Sequence, residues 1–196
     1  MRPERLTRAE QQALTRERLL GAAERVIARH GYGGASLDLI SVEAGYSKGA
    51  IYSNFDSKEA VFLDLLHAYM ERGMAEMERA LDVPPEKLSA ALSQWLSTMQ
   101  TDNDCLLLVT ELQLQARRNA AFAERYYALQ AEQTHTLAKN LRRYFKAAGA
   151  PMPMNAIDLA GAMIALAHGL SLQRPPGDQG TPGKVIELLL KVLMRQ

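Results

Sequence analysis

SLDLISVEAGYSKGAIYSNFDSKEAVF, residues Ser36–Phe62, decides the fold of this 196-residue chain. Ser36, Ser47 and Ser57 each stand just before a short apolar-periodic run. At such a position a hydroxyl can accept a free backbone N–H of the first turn and start a helix. Gly45 falls between the first two runs, where a tight turn needs a backbone geometry that side chains resist. Ala44 is small and lets two helices approach closely. The spacing therefore predicts a short helix with Leu37, Ile40 and Ala44 inward, ending at Gly45. A second short helix follows with Ile51 and Phe55 inward, and then a longer one entered at Ser57. That is a helix-turn-helix, with Ile40, Ile51 and Phe55 forming a small core shared with the helices on either side. The second short helix keeps an outer face of Lys48, Gly49, Ala50, Tyr52, Ser53 and Asn54. A short helix of small and polar residues can enter a major groove and set its N-terminal residues against base edges.

Outward from this stretch the apolar spacing stays helical. Leu19, Leu20, Ala23, Val26 and Ile27 make one face of a helix over about Arg8–His30, stopped by Gly31. The helix after Ser57 buries Phe62, Leu65, Leu66, Tyr69, Met70, Met74 and Met77, which sustains the period for about four turns. Pro84-Pro85 breaks the chain. Helices are then expected over Glu86–Met99, Cys105–Arg118, Ala120–Ala148, Asn155–Gln173 and Pro182–Met194. Turns lie at Asp102-Asn103-Asp104 and Gly149–Pro153, and a Pro/Gly-rich, mobile segment at Arg174–Gly183. No run alternates in the manner of a strand. The expectation is an all-α chain of about nine helices. An N-terminal three-helix helix-turn-helix domain spans residues 1–58, a connecting helix 59–81, and a larger helical domain 82–196.

Composition narrows the function. Hydrophobic residues at 47% and charged residues at 23% are ordinary for a folded domain. The single cysteine, Cys105, leaves no internal disulfide framework or cysteine-rich zinc site. It heads an apolar run and reads as a small buried hydrophobe rather than a redox sensor. His30, His67, His135 and His168 show no metal-ligand spacing, and no phosphate loop or nucleophile elbow appears. No metal, cofactor or enzymatic activity is expected. The charged N-terminus is unlike a secretory signal. The longest nearly apolar stretch, Leu159–Leu172, is shorter than the roughly 18 residues of a membrane span and is interrupted by His168. A cytoplasmic protein with no membrane partner is expected. Net charge is +1, but residues 1–58 hold nine Lys/Arg against seven Asp/Glu. The N-terminal part is thus weakly basic, which implies a shallow salt dependence for any nucleic-acid binding. Arg2, Arg5, Arg8, Arg16 and Arg18 form either an arm for an adjacent minor groove or a solvated tail.

The pattern Ser36-Leu37-x-x-Ile40-x-x-x-Ala44-Gly45-x-Ser47-x-Gly49-x-Ile51-Tyr52-x-x-Phe55-x-x-Lys58-Glu59-x-x-Phe62 resembles the signature of the tetracycline-repressor (TetR) family of bacterial regulators. The resemblance implies double-stranded DNA as partner, with Lys48, Gly49, Ala50 and Ser53 meeting bases. It places Tyr52, Asn54 and Lys58 at phosphates, with Ser36 opening a helix whose N-terminus can bind another. The family often has histidine at the position of Asn54, an aliphatic residue at that of Tyr46 and alanine at that of Ser41. Asn54 can still donate a hydrogen bond, and Tyr46 can add a backbone contact.

The resemblance also implies a ligand cavity in the larger domain, apolar with a few polar groups. Candidate lining residues are Trp95, Met99, Leu108, Leu112, Phe122, Tyr126, Gln130 and Met163. Glu111, Gln115, Thr134 and His168 are candidate orienting groups. The plain alternative for each is core packing, and for Glu111 solvent or an arginine partner. Small residues along Asn155–Gln173 and the aliphatic stripe of the last helix suit a four-helix interface between two copies. Ala160, Met163, Ala167, Leu170, Val185, Leu188, Leu189 and Val192 are its candidates. A homodimer would set two recognition helices roughly 34–36 Å apart on a palindromic operator. The leading function is a repressor released from that operator by a small, largely apolar effector. The alternatives are an all-helical small-molecule-binding protein or enzyme with an inert DNA-binding module, and a nucleoid-type binder without an effector.

Overall fold

The computed structural model describes residues 7–98, 103–173 and 182–194, with the side chains of residues 98 and 103–107 left aside. The described residues hold nine helices and no strand. None of these helices is long and apolar enough to cross a membrane. Met99, Arg2, Arg5, Asp102, the Cys105 side chain and segment 174–181 lie outside the described residues.

The chain forms two packing units. The first comprises residues up to Ala68 together with Leu107–Ala123. α1 (Arg8–Gly34) opens with a capping box. Thr7 Oγ1 accepts the Glu10 N–H, and the Glu10 carboxylate accepts the Thr7 N–H at 2.7 Å. The Thr7 N–H, and after it the Thr7 hydroxyl, hold the Glu10 carboxyl below its usual range. Gly31 leaves helical geometry at φ 65°, and one further turn carries the chain to Gly34. Leu19, Ala22, Ala23, Val26 and Ile27 face inward. Leu20, expected among them, is partly exposed, because Ala22 and not Leu20 completes the buried stripe. α2 (Leu37–Ala44) packs on α1, and α3 (Lys48–Tyr52) packs on α2. Ile40, Ile51, Val61, Phe62 and Leu66 are fully buried and Phe55 nearly so. Each such side chain contributes about 1.5–3 kcal/mol by leaving water. Truncating Ile51 to alanine would cost about 2–5 kcal/mol through lost contact and the cavity left behind.

α4 (Lys58–Ala80) begins in the first unit and continues into the second, with no break at the expected 58/59 boundary. α6 (Asn103–Arg118) carries buried Leu108, Leu112 and Ala116. Packing groups most of that helix with the N-terminal residues, which the linear division into 1–58 and 82–196 did not anticipate.

The second unit comprises Tyr69–Leu106 and Glu124–Gln196. It contains α5 (Pro85–Thr98), most of α7 (Ala120–Ala147), α8 (Ala156–Leu172) and α9 (Pro182–Leu193). Its core joins Met77, Leu81, Leu88, Leu92 and Leu96 with Leu137, Leu141, Tyr144 and Phe145, and with Leu159, Ile186 and Leu190. α9 packs on both α5 and α8. Gly183 lets α9 approach α5 closely: a Cβ there would run into the backbone of Leu96. α9 is apolar on two sides. Ile186 and Leu190 face the core, while the expected stripe of Val185, Leu188, Leu189 and Val192 lies on the exposed side.

Candidate nucleic-acid interface

Local caps shape the helix-turn-helix. Ser36 Oγ accepts the Leu39 N–H at 3.2 Å and opens α2. Gly45 closes α2 in the left-handed region, φ 71° and ψ 26°. Nothing lies within 4 Å of a Cβ built at Gly45, so backbone conformation and not crowding requires glycine there. Ser47 Oγ then accepts the Ala50 N–H at 3.3 Å and starts α3. Buried Ile51 and Phe55 fix the rotation of α3, which leaves Lys48, Gly49, Tyr52 and Ser53 outward and Ala50 half-buried. Tyr52 is 56% exposed, a large apolar ring held in water with no cover.

The polar groups around this face are not all free. Lys48 Nζ donates to Asp38 Oδ2 at 2.5 Å. That hydrogen bond raises the lysine above its ordinary range and keeps it fully cationic. Arg18 donates to Tyr46 Oη at 3.3 Å. Arg18, and after it Thr15, hold the Tyr46 phenol below its usual range. Glu43 bridges Arg25 and Arg29, which lower its carboxyl by hydrogen bonding.

Two expected phosphate ligands are otherwise engaged. Asn54 Nδ2 donates to the Ala50 carbonyl at 2.8 Å and closes the end of α3. Its Oδ1 is buried without a partner, so the amide must rotate outward before it can meet a phosphate. The Lys58 ammonium sits 4.3 Å from the Tyr32 ring centroid. Burial lowers the Lys58 amine, against the opposing charges of Glu59 and Glu111. Burial likewise pushes the Tyr32 phenol up to about 12, with help from the same two carboxylates. Ser36 spends its hydroxyl as a cap. Arg16, grouped by sequence with an arm, is a clamp. It donates to the Asn54 carbonyl at 2.6 Å, pairs with Asp64 and stacks 4.3 Å from the Phe55 ring centroid. Arg16 and Asp64 are too far apart in the chain for a local pattern to have linked them. Asp38, seven residues before Gly45, likewise gave no local sign of its lysine partner.

The candidate effector residues divide between the units. Leu108, Leu112 and Phe122 are buried in the first unit, with Gln115 half-buried and Glu111 exposed. In the second, Trp95 and Met163 pack against the large core and Tyr126 is buried. Gln130 Nε2 donates to Tyr126 Oη at 3.2 Å, and Thr134 Oγ1 donates back to the Gln130 carbonyl at 2.8 Å. Desolvation lowers the His168 imidazole. Gln133 and Asn140, absent from the candidates, carry buried amide atoms with no partner. Their signal was present in sequence: two carboxamides seven residues apart on the apolar side of one helix.

The candidate dimer residues also divide. Val185, Leu188, Leu189 and Val192 are exposed, and Met163, Ala167 and Leu170 are partly covered. Ala160 is fully buried in its own chain's core, one turn from Ala156, and is not available to a second copy. No group of three or more potential metal ligands occurs among the described residues.

Residues 19–65 match the model of bacterial regulatory proteins of the tetR family. Residues 84–196, more than half the chain, match that of the BetI-type transcriptional repressor C-terminal domain. The HTH-type transcriptional repressor AcnR of Corynebacterium diphtheriae is 32% identical over 94 residues, 44% of this chain and 47% of that protein. The match thus spans about half the length of that relative. A TetR-family regulator from Mesorhizobium loti superposes with a TM-score of 0.72 at 16% identity, over 97% of this chain and 98% of that one. A transcriptional regulator from Saccharomonospora viridis in complex with choline superposes at 0.66 and 23% identity, over 94% and 97%. With both of its segments matched by regulator models and its whole length sharing the regulator fold, the chain belongs to the TetR family of bacterial regulatory proteins.

Proposed function

We propose that this protein is a DNA-binding transcriptional repressor, not an enzyme. It acts in the cytoplasm as a homodimer on a palindromic operator and is released by a small, largely apolar effector. The observation that carries the reading is α3 itself. Ile51 and Phe55 anchor it, and Lys48, Gly49 and Tyr52 stand outward from that anchor. The absence of side-chain bulk at Gly49 lets the backbone approach base edges. Lys48, Ala50 and Ser53 face the bases, and Tyr52 the phosphates, with Tyr46 and the α2 N-terminus at Ser36 flanking them. Asn54 and Lys58 join the phosphate contacts only after leaving the Ala50 carbonyl and the Tyr32 ring.

The exposed aliphatic side of α9 supports dimerisation. Leu188 is 60% and Val192 57% exposed, and side chains of this kind in water favour a partner. Two copies related by a two-fold axis would present two recognition helices about one DNA turn apart. The effector acts by differential affinity, and it can move DNA binding by no more than its preference between the two states.

Selection of bound duplexes from a randomised pool, followed by gel-shift titration, tests the reading. A palindromic consensus is expected. The double variant Lys48→Ala/Tyr52→Phe is expected to lose selective binding and keep its fold. A monomer with no duplex preference would refute the proposal. Leu188→Glu should separate the copies in sedimentation and weaken operator binding without disturbing the α9 core side.

A further inference from the structure

We infer that the buried side of α7 carries a binding site for an uncharged ligand group that both donates and accepts hydrogen bonds, anchored by Asn140, with Gln133 two turns away along the same side. The inference rests on the proposed ligand-binding role of the larger unit and specifies the chemistry recognised there.

Tyr126, Gln133, Leu137, Asn140 and Tyr144 are spaced seven, four, three and four residues apart, which sets them along one side of the helix. All of these residues belong to the second packing unit. Tyr126, Leu137 and Tyr144 are buried. Asn140 is 1% exposed, among the most enclosed polar residues described. Both its Oδ1 and its Nδ2 lack a hydrogen-bond partner, as does the buried Oε1 of Gln133. Buried carboxamides are ordinarily paired, and leaving both ends of one unmade penalises the folded state. Nothing about α7 requires an amide at 140, since leucine would continue its apolar side. Such a penalty is characteristic of positions kept for binding.

The unmet groups define the complement. Two oxygens call for N–H or O–H donors, and Asn140 Nδ2 calls for an acceptor. Asn140 and Gln133 lie about 10 Å apart along the helix, at 1.5 Å per residue. No Lys, Arg, Asp or Glu is buried among the described residues. Glu187, whose charge acts on the Tyr144 phenol, is already engaged by Lys191 and Ser93. A charged ligand group brought here would therefore lose its hydration without gaining a free countercharge. Carboxamides and hydroxyls fit, whereas carboxylates and ammonium groups do not. The Tyr144 ring and the buried Leu137 and Leu141 suit a ligand whose remainder is apolar.

The test uses the full-length, DNA-free protein and three probes of similar size: benzamide, benzoate and benzyltrimethylammonium. Ligand-observed NMR titration measures each affinity. Benzamide is expected to bind most tightly, at about millimolar strength for so small a molecule. Asn140→Leu is expected to weaken it roughly tenfold, which one lost buried hydrogen-bond pair can account for. Should that variant not fold, Asn140→Ser and Gln133→Leu replace it, with the same direction of change expected. Tighter binding of either charged probe, undiminished benzamide binding in the variants, or no benzamide binding would each overturn the inference. Because DNA is absent, these outcomes are separate from a failure of ligand-released repression, which would show as operator affinity unmoved by a bound ligand.

Discussion

Gly183→Ala places one methyl group where α9 closely approaches the α5 backbone. A Cβ at this position would overlap the Leu96 carbonyl oxygen, with the carbonyl carbon at 2.7 Å and Leu96 Cα at 3.1 Å. These are backbone atoms of a packed helix and cannot swing aside as a side chain would. Ordinary carbon contacts need about 3.5 Å, so the start of α9 must withdraw by roughly 1 Å. That movement loosens Ile186 and Leu190, both buried against the core. Overpacking of this kind costs about 1–3 kcal/mol. Alanine returns less than the roughly 0.5–1 kcal/mol of a helix interior, because Gly183 is only the second residue of α9. The net expectation is a loss of about 1–2 kcal/mol, which for a chain of this size lowers Tm by about 2–8 °C. Thermal and urea unfolding followed by circular dichroism measure it, at one fixed protein concentration because self-association would shift Tm. Gly73→Ala on α4 is the control, since nothing lies within 4 Å of its built Cβ. It should gain about 0.5–1 kcal/mol. If Gly183→Ala is as stable as the parent, or rises as Gly73→Ala does, the close approach of α9 to α5 is wrong.

Further perturbations probe the other unit and its charges. Gly45→Ala forces a Cβ into the left-handed region and should cost about 1–2 kcal/mol in unfolding experiments, with weaker duplex binding as a consequence. Asp38→Asn frees Lys48 from its carboxylate and removes a negative charge beside α3. Affinity for random-sequence duplex should rise severalfold, most visibly at low salt in fluorescence anisotropy. Arg16→Met loses the Asp64 pair and the Asn54 carbonyl contact while keeping some apolar cover on Phe55. A drop of about 1 kcal/mol in chemical denaturation is expected. His168 has a lowered folded pKa, so it stays neutral in the fold while the unfolded chain takes up a proton from about pH 6.5 downward. Its contribution is present above that pH and is lost as pH falls through and below it. His168→Gln should therefore flatten the acid side of a plot of Tm against pH. An unchanged slope would show that the imidazole is not desolvated.

Sequence alone determined the all-helical class, the positions of the caps and the turn. These depend on interactions within one or two turns. Ser36, Ser47 and Ser57 each satisfy an N–H three residues on, Gly45 takes up a local backbone conformation, and Ile40, Ile51 and Phe55 repeat with the helix. Most helix ends were legible to within a residue or two for the same reason, though α1 runs past Gly31 to Gly34 and α3 stops at Tyr52, short of the expected Phe55. The outward face of α3 was legible as well, because the inward residues set its rotation. Tertiary structure alone decided what depends on distant partners. Arg16 looked like one more basic residue near the N-terminus until Asp64 and Asn54 came beside it. Lys58 lies over Tyr32, 26 residues away, a contact no local pattern links. Ala160 turns inward and Leu188 outward although both lie on largely apolar helices. Periodicity locates an apolar side only where a polar side contrasts with it. On α8 that contrast is weak, and on α9 the apolar side is broad enough to cover both the core and the exposed residues, so the packing of α9 between α5 and α8, admitted by the missing side chain at Gly183, selects the face each helix buries.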